Sequence, residues 1–524
     1  MRLRKDRVLG VIFVISLVTG IAIFITNKNK KPKNQNIDLG IDTVYENSIR
    51  LGISNFDTIN PILTNNKVML NINQLIYEPL FELNNNYKLN NCLAKEIAKT
   101  SPTTYVIKVD NTIKWSDGSN FTAKDVKYTV DIIKSRNNIF YENVKNISNV
   151  DVIDDSTAKI TLDSEIPFFE YNLIFPIMSQ KYYSGEDFYS SSKNPIGTGK
   201  YKIEAVNNNQ IILIRNSEYR NKDLQNEKLE IIVLNIYNEI GEVYNGFKLG
   251  NIDVLSVSSM KYKNYIGSLG YYAKEYAGRE YDFISMNCND NLMKNKAVRH
   301  AINCAIDKDN IISNIYNNEY YKASYPLDYG SFLYSNAGMQ DSYNLEKAKE
   351  WLINDGWIYS NNVWWKQGIQ LRITLTVNSS NKKRVETANL IKQQLESFGI
   401  ITNIRELSDN DYYNCLQEKR YQVILTGVYS GYSPNLEMFY GEGNMANYVN
   451  ATVIGLLNEV RNITDEKLLK EKYSQLMNIT LDDCAYIGLY RNKCSLIISR
   501  KMSGNYEPNN YGIFANFNTW NRER

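Results

Sequence analysis

An α/β architecture divided among more than one lobe is the fold class this sequence predicts, on three observations. A chain of 524 residues outgrows a single hydrophobic core and divides into two or three lobes. Residues 371–377 read as a strand, the helix carrying Val385, Ala388, Ile391 and Leu395 ends at Gly399, and Ile400, Ile401 and Ile404 begin a further strand. That order is a βαβ unit, which places parallel strands side by side through a right-handed crossover. Near the N-terminal end, Tyr105, Ile107 and Val109 alternate with Val106, Lys108 and Asp110, Ser116-Asp117-Gly118 supplies turn chemistry, and Val126, Val130 and Ile133 follow at helical spacing. Thr122 stands three residues before Asp125, the spacing of a capping box.

Composition excludes several function classes. The net charge of +3 arises at the N-terminal end, where eight basic residues between Arg2 and Lys33 face Asp6 alone. The remainder is mildly acidic and offers no electrostatic footprint for nucleic acid. Six scattered cysteines without a Cys-x-x-Cys pair, and one histidine, His300, argue against a metal site or a disulfide framework, and no cofactor is expected. Free thiols are the expected state, although Cys484 and Cys494 are near enough in sequence to pair.

Taken in order, Val8 to Ile25 is an uncharged apolar run of eighteen residues, long enough as a helix to span roughly the hydrocarbon thickness. A cleaved signal peptide competes, but Thr26-Asn27-Lys28 follows in place of a small-x-small cleavage site, so residues 1–26 are read as an uncleaved membrane anchor. Four basic residues flank it on each side, so charge does not orient it. Residues 27–48 read as a polar tether. Ile49 to Ile53 is strand-like and leads into Asn55-Phe56-Asp57 and Pro61, and residues 150–153 and 158–162 are further strands. Gly197-Thr198-Gly199 lacks the Lys-Ser/Thr of a phosphate loop and reads as a turn between sheet strands. Val298, Ile302, Ala305 and Ile306 share one helix face, and Asp307 caps a second helix carrying Ile311, Ile312 and Ile315. Residues 281–287, 421–429, 487–490 and 495–498 complete the strands.

Several motifs occur together. Trp115-Ser116-Asp117-Gly118 with Phe121-Thr122-Ala123-Lys124-Asp125-Val126, then Asn194-Pro195-Ile196-Gly197-Thr198-Gly199-Lys200-Tyr201, Val298-Arg299-His300-Ala301 with Ala305-Ile306-Asp307-Lys308, and Tyr343-Asn344-Leu345-Glu346-Lys347-Ala348 follow one another. This set resembles, in the same order, the signatures of the extracellular solute-binding proteins of family 5, the oligopeptide, dipeptide and nickel receptors of ABC importers. The resemblance covers nearly all of residues 49–520.

The resemblance implies a periplasmic-binding-protein-like fold of the class II type, with two hinged lobes and a small domain inserted in the first. The first lobe would comprise residues 49–75, 195–285 and 496–524, the inserted domain 76–194 and the second lobe 286–495. It also implies an extracellular body, a Gram-positive type of receptor tied to the cell membrane, a monomer, and an ABC permease as partner. Such receptors usually carry a lipid on a cysteine just after the apolar run, whereas the first cysteine here is Cys92. The ligand implied is a peptide or other extended solute. By the resemblance, Asn55, Phe56, Asp57, Tyr141, Phe283, Gly427, Val428, Tyr429, Gly431 and Tyr490 would line the cleft. In peptide-binding members the stretch matching Tyr421 to Pro434 pairs with the peptide backbone, and its aspartate receives the α-ammonium; Gly431 occupies that place here. Asp57 or another carboxylate substitutes, the ligand is not a free peptide, or binding is lost.

Two roles follow: an importer receptor, or a diverged sensor or docking protein of the same fold. An enzyme built on Asp154-Asp155 or Asp482-Asp483 is disfavoured, since adjacent carboxylates in strands face opposite ways and no Gly-x-Ser-x-Gly motif accompanies them. No catalytic residues are expected.

Overall fold

Two strands much longer than the rest carry the architecture. Tyr271–Met286 has 16 residues and Tyr486–Ser499 has 14, and they run antiparallel to each other, about 50 Å of extended chain. The structure, a computed structural model, describes residues 47–221, 228–258, 262–263, 270–335 and 343–523. The expected anchor and all but the last two residues of the tether lie outside the described residues. Among the described residues no helix is long and apolar enough to cross a membrane.

Both long strands belong to one eleven-stranded sheet. On one side Val254–Val257 pairs with residues 495–498, and Ser48–Ser54, Ile231–Tyr237, Gln210–Arg215 and Tyr201–Val206 continue outward. On the other side Val423–Tyr429 pairs with residues 280–286, followed by Arg372–Asn378 and Ile401–Leu407. The last two strands are parallel and flank the helix Lys382–Phe398, which Gly399 ends at φ 95°, so the expected βαβ unit is present. Only glycine adopts that left-handed conformation without strain.

Between the halves the pairing of the long strands slips, from Ala277 opposite Lys493 to Tyr281 opposite Arg491. Gly278 sits at this slip. A Cβ on it would stand 2.2 Å from Asn492 Oδ1, the oxygen that accepts the Glu280 amide hydrogen at 3.1 Å. A slip of this kind bends a strand pair locally, and here it marks where two lobes join.

Each half has its own core. Ile49, Leu51, Ile53, Ile72, Leu213, Leu234, Phe517 and Trp520 form that of the first lobe, so the C-terminal residues return to it. Val298, Ile302, Ile373, Leu375, Ile391 and Leu489 pack on one face of the second-lobe sheet, and Tyr281, Phe283, Phe439, Tyr473 and Tyr486 on the other. A third core holds Trp115, Phe121, Val126, Val130, Ile107 and Ile160, beside a separate antiparallel sheet of Ala94–Ser101, Thr104–Val109, Thr157–Leu162 and Ile147–Asp154. The Trp115 motif builds this inserted body. Trp115 is buried against Phe121, Gly118 turns at φ 84°, and Asp125 accepts the Thr122 amide hydrogen at 2.8 Å and that of Gln180 at 2.7 Å.

Gly197 and Gly199 owe their presence to close approach more than to turn geometry. Neither has a positive φ, and a Cβ on Gly197 would stand 1.8 Å from the carbonyl oxygen of Ile76. All six cysteines are free, Cys484 and Cys494 included. Asp307 caps its helix as the sequence predicts, and Asn344 caps Leu345–Asn354.

Candidate functional site

Along the strand Val423–Tyr429 one edge is paired throughout with Tyr271–Met286. The opposite edge has a strand partner only at Val423 and Ile424, against Leu375 and Thr376. From Leu425 to Tyr429 that edge faces no strand among the described residues; the Leu425 carbonyl accepts from the Tyr412 hydroxyl at 2.9 Å, and the main-chain groups beyond it are left to an extended partner.

Gly427 lies on this edge because an ion pair covers it. Arg384 Nε and Nη2 donate to the two Asp282 oxygens at 2.9 and 2.7 Å, a bidentate match. A Cβ on Gly427 would meet Asp282 Oδ1 at 2.0 Å and Arg384 Nη2 at 2.2 Å. Val428 is half-buried and Tyr429 is exposed.

Past the strand end two arginines converge on Ser430. Arg279 Nε donates to the Ser430 carbonyl at 2.6 Å, and its guanidinium lies 4.5 Å from the Tyr429 ring centre and 4.1 Å from that of Tyr432. Arg491 Nη1 donates to Ser430 Oγ at 2.9 Å, Nη2 donates to the Pro326 carbonyl, and the group sits over Tyr281. Gly431 is exposed, and a Cβ there would meet nothing nearer than Ser433 N at 3.9 Å.

The lobes touch beside this cluster. The Tyr432 hydroxyl donates to the Asn510 carbonyl at 2.8 Å, and Asn510 Nδ2 donates to Asp328 Oδ2 at 3.0 Å. A cavity of about 40 Å³ between them is lined by Tyr87, Arg279, Asp328, Gly431, Arg491 and Asn510, among others. Burial pushes the Asp328 carboxyl up, against the Gly330 amide and the Arg491 charge. A wider depression of about 410 Å³ lies elsewhere on the second lobe. Its basic groups are engaged, Arg405 with the Arg420 carbonyl, Lys419 with that of Gly443 and Arg420 with Glu418, so it reads as a solvated face.

Of the residues expected at the cleft, Gly427, Val428, Tyr429 and Gly431 stand together here. The others belong to other segments, although Phe283 pairs with Thr426, Tyr490 pairs with Asp282, and Val428 packs on the core that holds Phe283. Asp57 spends its carboxylate on its own loop, accepting from the Thr58 and Asn65 amides and from Thr64 Oγ1, each at 2.7 Å. Asn55 is left-handed at φ 52° and its carbonyl accepts from Asn66 Nδ2, while Phe56 packs on the first-lobe core. Tyr141 begins the short helix Tyr141–Val144 of the inserted body, and no hydrogen bond or ring contact among the described residues joins it to Gly427 or Gly431. Phe283 has no exposed surface and stacks on Tyr281 at 5.3 Å. Tyr490 is equally buried, 2.7 Å from the Tyr316 hydroxyl and 3.2 Å from Thr387 Oγ1, and burial pushes its own hydroxyl well up. In this structure both belong to the second-lobe core.

Arg279, Arg384 and Arg491 escaped the sequence reading. Arg491 follows the apolar Ile487-Gly488-Leu489-Tyr490, but Asn492 and Lys493 come directly after it, so it reads as the start of a polar interruption. Arg384 and Arg279 carry no signal either, because a polar residue at a helix start or strand bend is ordinary.

A family model described as bacterial extracellular solute-binding proteins, family 5 Middle, matches residues 88–447. The oligopeptide-binding protein AppA of Bacillus subtilis (strain 168) is 22% identical over 479 residues, covering 86% of this chain and 87% of that protein. The fold matches the MppA periplasmic murein tripeptide binding protein in its unliganded open form, with a TM-score of 0.78 at 16% identity over 91% of this chain and 97% of that one. It also matches a nickel ABC transporter protein from Bacillus halodurans, with a TM-score of 0.76 at 17% identity over 90% and 99% of the two chains.

Proposed function

Because the chain belongs to family 5 of the bacterial extracellular solute-binding proteins, a family of receptors and not of enzymes, we propose that it captures a peptide or a similarly extended solute for an ABC permease. The observation that carries this reading is the strand edge beyond Leu425, as far as Tyr429, without a strand partner among the described residues and flanked by the join between the lobes. A solute backbone adds to that edge as a further strand, and contacts from both lobes then favour the shut arrangement that a permease reads. The AppA relative, named for oligopeptide binding, supports the ligand class. Residues 1–26 serve as the anchor of a monomeric receptor whose body faces outward, with the inserted domain bordered near residues 76 and 195.

The test is the melting temperature of the purified full chain with pools of tri- to pentapeptides. A ligand at a hundredfold excess over its Kd stabilises by about 2.7 kcal/mol, a shift of some degrees. Backbone N-methylated versions of the same peptides should lose that shift, and an unchanged melting temperature with every pool would reject peptide capture.

Gly431 favours a second reading, a sensor or docking protein of the same fold that no longer binds free peptides. Deleting the gene separates the two: a receptor's loss lowers peptide uptake, a sensor's leaves uptake intact.

A further inference from the structure

We infer that the groove holds an oxyanion of the solute, a carboxylate, on Arg279 and Arg491 beside Gly431. This rests on the receptor reading above and names the charge its ligand presents, opposite to the ammonium that an aspartate at this place would receive.

Both guanidinium groups are turned inward and bonded to one residue, Ser430. Arg491 is 2% exposed, and Arg279 is half-buried between two tyrosine rings. Among the described residues neither has a carboxylate within ion-pair distance. The other arginines drawn into the body do: Arg50 and Arg522 reach Asp253, Arg220 reaches Glu78, Arg384 reaches Asp282 and Arg461 reaches Glu437. Arg299, also buried, is instead bonded to the carbonyls of Met293, Lys294, Asp483 and Cys484. A guanidinium carries five N–H donors, of which Arg279 gives one and Arg491 two to the partners named here.

The acidic side chain on the same cavity, Asp328, is a poor countercharge. Its oxygens already accept from the Gly330 amide at 2.9 Å and from Asn510 Nδ2 at 3.0 Å, and neither lies within ion-pair distance of Arg279 or Arg491. A buried and a half-buried guanidinium with no carboxylate within ion-pair distance among the described residues are costly, and an incoming anion lowers that cost. The cavity of about 40 Å³ exceeds the space of a single water and suits a carboxylate head, with the rest of the solute running along Leu425 to Tyr429. The absence of a side chain at Gly431 keeps the approach open. A planar fork of donors matches a carboxylate in two bonds, as Arg384 and Asp282 do next door.

The carboxylate has two sources, the peptide's C-terminus or an acidic side chain, and binding of the full chain to four tri- to pentapeptide pools tells them apart. The pools are free acids, N-acetylated acids, C-amides lacking Asp and Glu, and C-amides containing Asp, with affinity read by calorimetry. N-acetylation should change affinity less than about threefold, and the amides without acidic residues should bind at least about tenfold more weakly. Retained affinity in the Asp-containing amides assigns the oxyanion to a side chain, and its loss assigns it to the C-terminus. Arg279→Gln should weaken acid binding about ten- to a hundredfold, a larger loss than it causes for the acid-free amides, with Arg279→Lys recovering part. Arg279 is chosen because the more deeply buried Arg491 also supports the fold. Acid-free amides that bind as tightly as free acids, with N-acetylation abolishing binding, would overturn the inference and leave the receptor reading standing. Silence from all four pools removes both.

Discussion

Tyr432 of the second lobe donates its hydroxyl hydrogen to the carbonyl of Asn510, in the C-terminal segment that completes the first lobe, at 2.8 Å. The bond ties the lobes at the edge of the cavity that Arg491 and Gly431 line. Tyr432→Phe keeps the ring that stacks with Arg279 and removes only the bond. A single hydrogen bond contributes about 1 kcal/mol. Amide hydrogen exchange should therefore quicken about fivefold in residues 430–434 and 507–512 and stay unchanged in the inserted body; uniform exchange throughout would contradict a cross-lobe role.

Gly427→Ala tests the ion pair over the strand edge. The added methyl would stand 2.0 Å from Asp282 Oδ1 and 2.2 Å from Arg384 Nη2, so the pair has to move. We expect about 1–3 kcal/mol of lost stability, as for an overpacked interior, together with loss of the peptide-induced shift in melting temperature. Unaltered stability and unaltered binding would show that the edge is not held in this way.

Gly197→Ala and Gly455→Ala make a matched pair. The first places a methyl 1.8 Å from the Ile76 carbonyl oxygen, and the second meets nothing within 4 Å in the helix Ala451–Val460. The first should cost about 3 kcal/mol or prevent folding, while the second should be neutral or gain up to about 1 kcal/mol. Thermal unfolding of both variants reads the contrast.

Asp125 makes stability depend on pH. Burial raises its carboxyl to about 6 from 3.8, although the amides of Thr122 and Gln180 pull the other way. A carboxyl raised in the folded state favours the protonated form, so its contribution is full below pH 4 and is lost as pH rises through about 6. The difference amounts to about 3 kcal/mol. Melting temperatures from pH 4 to pH 7 should fall more steeply for the natural chain than for Asp125→Asn, and parallel profiles would contradict the assignment.

Local chemistry was legible wherever one segment satisfies itself. The strand, turn and capped helix around Trp115, the βαβ unit ended by Gly399, and the Asp307 cap each depend on residues a few positions apart, so periodicity and turn chemistry suffice. Gly197 shows the limit: a glycine was expected for turn geometry, and the reason proved to be contact with a helix end more than a hundred residues earlier. Phe283 and Tyr490 show the same limit. Aromatic residues in strands suit a cleft wall and a core alike, and only packing against Tyr281, Phe439 and Tyr316 places these two inside.

The sequence by itself determined the α/β class, the inserted body and the strand that ends at Tyr429, because alternation, capping and motif order are properties of neighbouring residues. Only the tertiary structure decided the polarity of the groove. Arg279 and Arg491 lie more than two hundred residues apart and meet at Ser430 through antiparallel pairing of the two long strands, a juxtaposition that chain folding alone creates.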